Sequence, residues 1–277
     1  MSRAHPRRRS AETNCACNEK LAPSEVVFSG HQPGYFRSLG FFAKMAMSDI
    51  FCFADDMQFV RREWQNRQRF PQPGNPGTTW LTVPLLSGSG LESIRSKRIA
   101  NENQDRDWRL KHWRTIEFVY KRAPYFDRYA PFIHTLYQRK WLTLGALCEA
   151  ITRYSALAFG IDRPVLVNSS QVGFSAGLRK GERIAAEIQR LRRRLSSKRP
   201  AVYLSGAGAS YFDARRFSGI FEKDFLEHRG IEIRSCTVDP SIIVRETGID
   251  PYAPAITFLF YLGADAGRLM EEAVRCR

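Results

Sequence analysis

Hydrophobic and polar residues follow two patterns along the chain, and each pattern predicts a different kind of secondary structure. Short runs of β-branched and aromatic residues, typical of buried strands, occupy 26–29, 50–54, 80–85, 164–170 and 201–206. Apolar residues recur at helical spacing across 33–47, 107–122, 131–159 and 181–199. The alternation predicts an α/β fold, a mainly parallel sheet flanked by helices, with a helical middle portion around 105–160.

The first strand runs into a turn that holds a histidine, an amide and a proline: His31, Gln32 and Pro33. Pro33 suits the first turn of a helix, where its missing N–H has no intrahelical partner to lose. A crossover of this length predicts that the strands on either side are parallel and joined in the right-handed sense. Their carboxyl ends then meet at the edge where open α/β sheets bind ligands. We therefore expect His31 and either Asp55 or Asp56 to face a common ligand.

Charge adds a preference for an anionic partner. The 277 residues carry 43 Lys and Arg against 28 Asp and Glu, a formal net charge of +15. Residues 1–23 hold five basic and two acidic residues, so +3 belongs to this segment and +12 to the rest. We interpret 1–23 as a disordered basic tail and 24–277 as a single α/β domain with a helical insertion at about 105–160. A charge of this sign favours a nucleotide, a tRNA or an acidic surface.

No apolar stretch approaches the roughly 20 residues that a bilayer-spanning helix needs. No apolar block follows the basic start, so a secretory signal is not expected. The six cysteines are scattered without a second pair at zinc-ligand spacing, which favours reduced thiols. These features predict a cytoplasmic protein without a membrane span.

Several blocks of the sequence resemble one family when they are taken in order. They are "HQPGYFRSLGFFAKMAMSDIFCFADDMQFVRREWQNRQRF", "GTTWLTVPL", "KHWRTIEFVYKRAPYF", "SSQVGFSAGLRKGERI" and "YLSGAGASYFD". The chain is similar in these blocks to the WbqC-like family of bacterial proteins, although Arg37 and Ser38 stand where the family usually carries Pro-Trp. The resemblance implies a role in O-antigen, other polysaccharide or natural-product biosynthesis, with transfer of an aminoacyl group, glycine in particular.

The first unit also looks like the start of the Rossmann-like nucleotidylyl-transferase fold, whose histidine motif contacts ATP phosphates. In that interpretation His31 stabilises a developing phosphate charge. Those enzymes carry a pair of histidines, whereas this turn has one. The alternative is that His31 caps the turn and has only a structural role.

The candidate site residues follow from these two arguments. His31 and Asp56 are the catalytic candidates, with Asp56 accepting a proton and Asp55 capping a backbone or pairing with an arginine. Adjacent carboxylates are also Mg²⁺ ligands in principle, but we assign no metal site. Lys44 is expected to be a solvated lysine near a helix end. The residues expected to bind substrate or donor are Gln32, Asn66, Arg67, Lys111, His112, Ser205, Gly206 and Tyr211.

Two classes of function stay open. The first is an acyl or aminoacyl transferase that forms an amide on an amine of a sugar or small natural product. Its donor is an amino acid activated by ATP with Mg²⁺, or an aminoacyl-tRNA, which makes tRNA a partner. The second is a non-catalytic nucleotide- or nucleic-acid-binding module, for which a basic stripe with exposed aromatic residues is the footprint. The sequence specifies neither the donor and acceptor nor the oligomeric state.

Overall fold

The computed structural model describes residues 25–72, 75–102, 107–173, 178, 180–195, 197–206 and 223–276. The strands are β1 (Val26–His31), β2 (Ile50–Phe53), β3 (Arg67–Gln72), β4 (Asn75–Thr82), β5 (Val165–Asn168), β6 (Ala201–Gly206), β7 (Ile231–Val238) and β8 (Val274–Cys276). The helices are α1 (Leu39–Ala46), α2 (Trp108–Tyr120), α3 (Phe126–Gln138), α4 (Leu144–Ala158), α5 (Ser169–Val172), α6 (Lys180–Arg194), α7 (Pro240–Thr247), α8 (Ala255–Leu262) and α9 (Asp265–Ala273). The α/β prediction is confirmed.

A six-stranded sheet organises the molecule in the order β5-β2-β1-β6-β7-β8. All neighbours are parallel except β8, which is antiparallel to β7. The chain builds outward from β1 through β2 to β5, then returns to the other side of β1 to add β6 and β7. The strand order thus reverses between β1 and β6. In open α/β sheets a ligand binds beyond the carboxyl ends at such a switch point.

Two hydrophobic clusters cover the faces of the sheet, and β1 contributes to both. Val27 belongs to the larger cluster, which includes α1, the helical portion α2–α4 and the C-terminal helices. Val26 and Phe28 belong to the smaller cluster, formed largely with residues of α6 such as Ile188. This division follows from the alternation of side chains along a strand. The central strand is therefore buried on both faces, and only its carboxyl end is open to polar chemistry.

The predicted β1–α1–β2 unit is confirmed, with Phe28 to His31 paired in parallel register with Ile50 to Phe53. The start of its helix was wrongly predicted, because α1 begins at Leu39 rather than at Pro33. Phe36 has a φ of +46°, in the left-handed region that a right-handed helix cannot contain. The segment between β1 and α1 is therefore a turn, which carries side chains to the sheet edge.

Two other predictions were wrong, and a third element is confirmed with a different end. Most of the antiparallel hairpin β3–β4 lies before residue 80, where no strand is predicted, and the strand expected at 80–85 overlaps only the end of β4 at Thr82. The single helix expected at 131–159 is two helices, α3 and α4. Arg139 adopts an extended conformation, and the side chain of Thr143 accepts a hydrogen bond from the backbone N–H of Ala146, which starts α4. The helix expected at 181–199 is confirmed as α6, although it ends at Arg194.

Candidate functional site

His31 is the last residue of β1 and lies at the switch point. Its Nδ1 is 3.0 Å from the carbonyl oxygen of Gln32, and its ring packs edge-on against Phe41 with centroids 5.2 Å apart. A carbonyl only accepts, so Nδ1 carries the proton and Nε2 is left with a free lone pair. Burial, reinforced by the charges of Arg37 and Lys44, holds the pKa of His31 well below 6.5. The imidazole is therefore neutral and has one basic nitrogen.

Lys44 lies beside this histidine, contrary to the expectation that it is solvated. Its side chain reaches from α1 to the end of β1, where Nζ donates to the Gly30 carbonyl at 2.8 Å. The residue is only 5% exposed, because α1 packs against β6, β7 and α9. Burial, with a further contribution from Arg37, lowers the pKa of Lys44 to about 8. A buried ammonium group thus stands at the carboxyl edge of the central strand.

Arg37 supplies a second, half-buried cation from the turn. Its terminal nitrogen donates to the carbonyls of Gln32 at 2.8 Å and Pro33 at 3.2 Å, while its Nε is buried with no partner among the described residues. Burial lowers the pKa of Arg37 to about 10. A Cβ on Gly34 would collide with this guanidinium, so the glycine leaves the space in which Arg37 folds back over the turn.

These residues, His31, Gln32, Arg37 and Lys44, form what we call the basic site. Within the described ranges the hydrogen bonds of its two cations go to backbone carbonyls, and neither cation forms a salt bridge. Burying a charge without a counter-charge costs several kcal/mol. A bound anion supplies the counter-charge and offsets this cost. The basic site therefore has the electrostatics of an anion-binding site.

Asp55 and Asp56 follow β2 at the same edge, as the parallel pairing predicts. Asp55 is buried and accepts from the backbone N–H of Ser170 at 3.0 Å and from the hydroxyls of Ser169 and Ser170 at 3.1 and 2.8 Å. Asp55 thus caps the backbone N–H of Ser170, as expected for one of the two aspartates. Asp56 instead accepts from the hydroxyl of Ser169 and forms a salt bridge with Arg183 of α6.

This arrangement does not fit a Mg²⁺ ion. Both carboxylates already accept from hydroxyl or amide donors, and Asp56 has its counter-charge in Arg183. Within the described residues no three His, Cys, Asp or Glu side chains come together as metal ligands would. Beside Arg183, Glu187 accepts a hydrogen bond from the Cys52 thiol, and burial raises the pKa of both groups.

The hairpin β3–β4 meets the basic site through Gln65. Its side-chain amide donates to Oε1 of Gln32 at 2.9 Å, and its backbone carbonyl accepts from the N–H of Tyr35 at 3.0 Å. Asn66, a predicted binding residue, donates from Nδ2 to the Val83 carbonyl at 2.9 Å and so braces the hairpin. Arg67 points to the outer face of the hairpin, where its guanidinium lies 4.3 Å from the ring centre of Trp80.

The two helical candidates occupy different environments. His112 is buried in α2, where the hydroxyl of Tyr35 bonds to Nδ1 at 2.8 Å and the backbone of Thr82 bonds to the ring. Burial and the nearby charge of Lys111 lower the pKa of His112 to about 3, so it is a neutral core histidine. Lys111 itself is exposed on the opposite face of α2. The structure does not bring these two residues together with the basic site, and their binding role stays a prediction.

Ser205 and Gly206 end β6, next to β1 at the switch point. Strand alternation places Ser205 on the α6 face of the sheet and His31 on the α1 face, so the two side chains diverge. The Ser205 hydroxyl donates to the Gly206 carbonyl at 3.3 Å. Tyr211 lies outside the described residues.

Sequence reasoning found His31 and Gln32 but not Arg37, Lys44 or Gln65. Arg37 carried a signal, since it departs from the family pattern at this position. Lys44 and Gln65 carried none, because their roles depend on how α1 and the hairpin pack around the end of β1.

An open cavity of about 510 Å³ lies at the opposite edge of the sheet, among the first residues of β1, β2 and β5. Its polar lining consists of Asp49, Ser197, Lys198 and Arg199. Asp49 is engaged by Arg163 at 2.8 Å and by the backbone N–H of Val27 at 2.9 Å. Amino ends of parallel strands are not where open α/β sheets bind their ligands, so we place the functional site at the basic site.

The fold is α/β, and a basic, partly buried candidate site lies at the switch point of its sheet. Residues 32–225 match the WbqC-like protein family, and the chain belongs to that family. It is 28% identical over 240 residues to the uncharacterised protein Rv1507c of Mycobacterium tuberculosis, covering 85% of this chain and 93% of that protein. No solved structure matches the chain. Among the described residues no helix has the length and apolar character needed to cross a bilayer.

Proposed function

We propose that this protein is a biosynthetic acyl transferase, in its most concrete form a glycyl transferase, that forms an amide on an amine of a sugar or small natural product. The observation that carries the proposal is the basic site: a buried lysine and a half-buried arginine, which form no salt bridge within the described ranges, lie beside a neutral histidine. Amide formation from an activated acyl donor releases an anion, either a phosphate or the oxygen of an ester.

The neutral amine of the acceptor attacks the carbonyl carbon of the donor, so that a C–N bond forms and the C–O bond to the leaving group breaks. Lys44 and Arg37 stabilise the departing oxygen anion, and Nε2 of His31 takes the proton that the amine loses. Asp56 is held by Arg183 and Ser169, which suits a positioning residue better than a proton acceptor.

The test compares donor binding with the single-turnover rate, using glycine plus ATP and, separately, glycyl-tRNA. Lys44→Met should weaken donor binding tenfold or more, because a charge-assisted contact is lost. His31→Gln should keep binding within about twofold and lower the rate 100-fold or more, as expected for a lost general base. Lys140→Met, at an exposed position between α3 and α4, is the matched control and should change neither quantity.

Asp56→Asn separates the two candidate proton acceptors. If Asp56→Asn abolishes turnover while His31→Gln leaves it intact, the base is Asp56. If neither donor binds the wild-type protein, the transferase proposal is wrong. The alternative, a non-catalytic nucleotide-binding module, is favoured by exposed aromatic and arginine side chains on the hairpin and predicts binding without turnover.

A further inference from the structure

The outer face of the hairpin β3–β4 carries two exposed tryptophans. Gln68, Phe70 and Leu81 point into the core, and strand alternation turns their neighbours outward. Trp64, just before β3, and Trp80 of β4 are 39% and 42% exposed, and their rings lie 5.2 Å apart. The two ring planes are inclined at 39°, and each side chain keeps more than a third of its surface open to solvent.

Arginines surround these rings. Arg67 lies 4.3 Å from the ring centre of Trp80, and Arg69, directly opposite Trp80 in the hairpin register, lies 5.4 Å from Trp64 and 5.8 Å from Trp80. The Nε of Arg67 is buried without a hydrogen-bond partner among the described residues. Neither arginine forms a salt bridge within that part of the chain, although Glu63 lies nearby in sequence. We call Trp64, Arg67, Arg69 and Trp80 the aromatic platform.

The aromatic platform is joined to the basic site. Trp64 precedes Gln65, whose side chain donates to Gln32 at 2.9 Å and whose carbonyl accepts from Tyr35 at 3.0 Å. Trp64 of the platform is therefore connected to Gln32 of the basic site through its neighbour Gln65 and one side-chain hydrogen bond. We infer from this connection that a single ligand with a flat ring and an anionic group engages both surfaces.

We propose that the aromatic platform binds a nucleotide, with the base stacked on Trp64 and Trp80 and the phosphates directed toward Arg67 and the basic site. Base-on-aromatic stacking combined with arginine contacts is the general means by which proteins hold unpaired nucleotides. A neutral sugar would leave the arginine charges unmatched, and an apolar peptide would bury them at a cost. The proposal deepens the proposed function, since it names the part of the donor that stays outside the basic site.

A nucleotide of this kind has two sources in the proposed chemistry: free ATP, or the unpaired 3′ end of a tRNA. Calorimetric titration of the full chain with ATP, and separately with a short RNA ending in CCA, distinguishes them. Trp80→Ala should weaken binding of the true ligand about 5- to 100-fold, as expected for loss of one stacked base. Trp80→Phe should retain most of the affinity, because a ring remains. Arg67→Ala should weaken binding in the same arm of the experiment.

Two controls match these variants. Phe118→Ala removes a 62% exposed aromatic from α2, and Arg268→Ala removes an exposed arginine from α9; both should bind like the wild type. A Trp80-dependent loss with ATP alone or RNA alone identifies the source and supports the proposal. If neither probe binds the wild type, or Trp80→Ala binds both unchanged, or an amino-sugar oligosaccharide binds in their place, the platform is not a nucleotide site.

The nucleotide-binding test and the transferase test can succeed or fail independently of each other. If the nucleotide binds through the platform but no donor is turned over, the platform proposal stands and the transferase proposal fails. If turnover occurs and Trp80→Ala leaves both binding and rate unchanged, the platform proposal fails alone.

Discussion

Lys44 shows how one side chain ties stability to function. An ammonium group that is buried beside Arg37, and that among the described residues donates to the Gly30 carbonyl without a salt bridge, costs folding free energy at neutral pH. Ionisable groups whose pKa is strongly shifted by burial occur preferentially at binding and catalytic sites. We expect an anion that binds beside Lys44 to offset this cost, and the basic site therefore to prefer negatively charged ligands.

The first prediction follows from the pKa of Lys44. It falls from 10.5 to about 8 on folding, so between these pH values the unfolded chain binds more protons than the folded one. The free energy of unfolding contributed by this residue therefore rises with pH from about 8 to 10.5, by up to about 3 kcal/mol. Lys44→Met should remove this rise and leave stability at pH 7 unchanged or higher.

Urea denaturation in a buffer free of phosphate measures this effect, with Lys111→Met as the control for an exposed lysine. The control should keep the wild-type pH dependence. If Lys44→Met loses the same stability at pH 7 and at pH 10, the lysine contributes through packing, and its buried charge does not destabilise the fold.

The second prediction concerns His31. Because its pKa lies well below 6.5, the imidazole stays neutral as the pH falls through 6.5 and Nε2 keeps its lone pair. The single-turnover rate at saturating donor should therefore show no loss centred at pH 6.5, and any histidine-dependent fall should begin at lower pH. A rate that halves near pH 6.5 in the wild type and loses this feature in His31→Gln would contradict the assigned environment.

At the scale of elements, the sequence predicts the β1–α1–β2 unit well, because strong apolar runs and helical spacing agree with the tertiary packing. The hairpin β3–β4 escapes prediction since its prolines and glycines indicate a loop, while its inward residues Gln68, Phe70 and Leu81 are too mixed to read as a strand face. The break between α3 and α4 carried a local signal, the capping residue Thr143, within a continuous apolar pattern.

The third prediction separates the two aspartates after β2. Asp55 is buried and caps the first turn of α5 through Ser169 and Ser170, so Asp55→Asn removes a charge-assisted acceptor from a closed network. We expect a loss of about 1–3 kcal/mol in the free energy of unfolding. Asp56 pairs with Arg183 in a partly exposed position, so Asp56→Asn should cost less than about 1 kcal/mol.

Chemical denaturation of the two variants under identical conditions provides the measurement, and each variant is the control for the other. Equal costs would mean that the network around Asp55 is not what holds α5 against the end of β5.

At the scale of the whole molecule, the location of the site depends on strand order. The sequence indicates parallel strands that end in polar residues, but it does not indicate that β6 pairs with β1 on the side away from β2. That pairing creates the switch point at His31. It also separates His31 from Ser205, whose side chains alternate to opposite faces, although the two residues are close at the strand ends.

The last prediction is that residues 24–277 unfold as one cooperative unit. The helical portion α2–α4 shares its hydrophobic cluster with β1, α1 and the C-terminal helices. Hydrogen bonds reinforce this: the Tyr120 and Thr257 hydroxyls are 2.7 Å apart, and the Tyr125 N–H donates to the Phe260 carbonyl at 3.0 Å. Elements that share one core lose it together, so partial unfolding of the helical portion would expose the apolar side of the sheet.

A chain lacking residues 1–23 should therefore melt in a single transition, with the same midpoint by far-ultraviolet circular dichroism and by tryptophan fluorescence. Three of the five tryptophans, Trp108, Trp113 and Trp141, lie in the helical portion, so fluorescence is weighted toward it, whereas circular dichroism reports on all elements. Limited proteolysis supplies an independent measurement, because a cut near residue 160 should release no stable half. Two separated transitions, or two protease-resistant halves, would mean that the helical portion is a domain of its own and that the basic site is built on the sheet without its support.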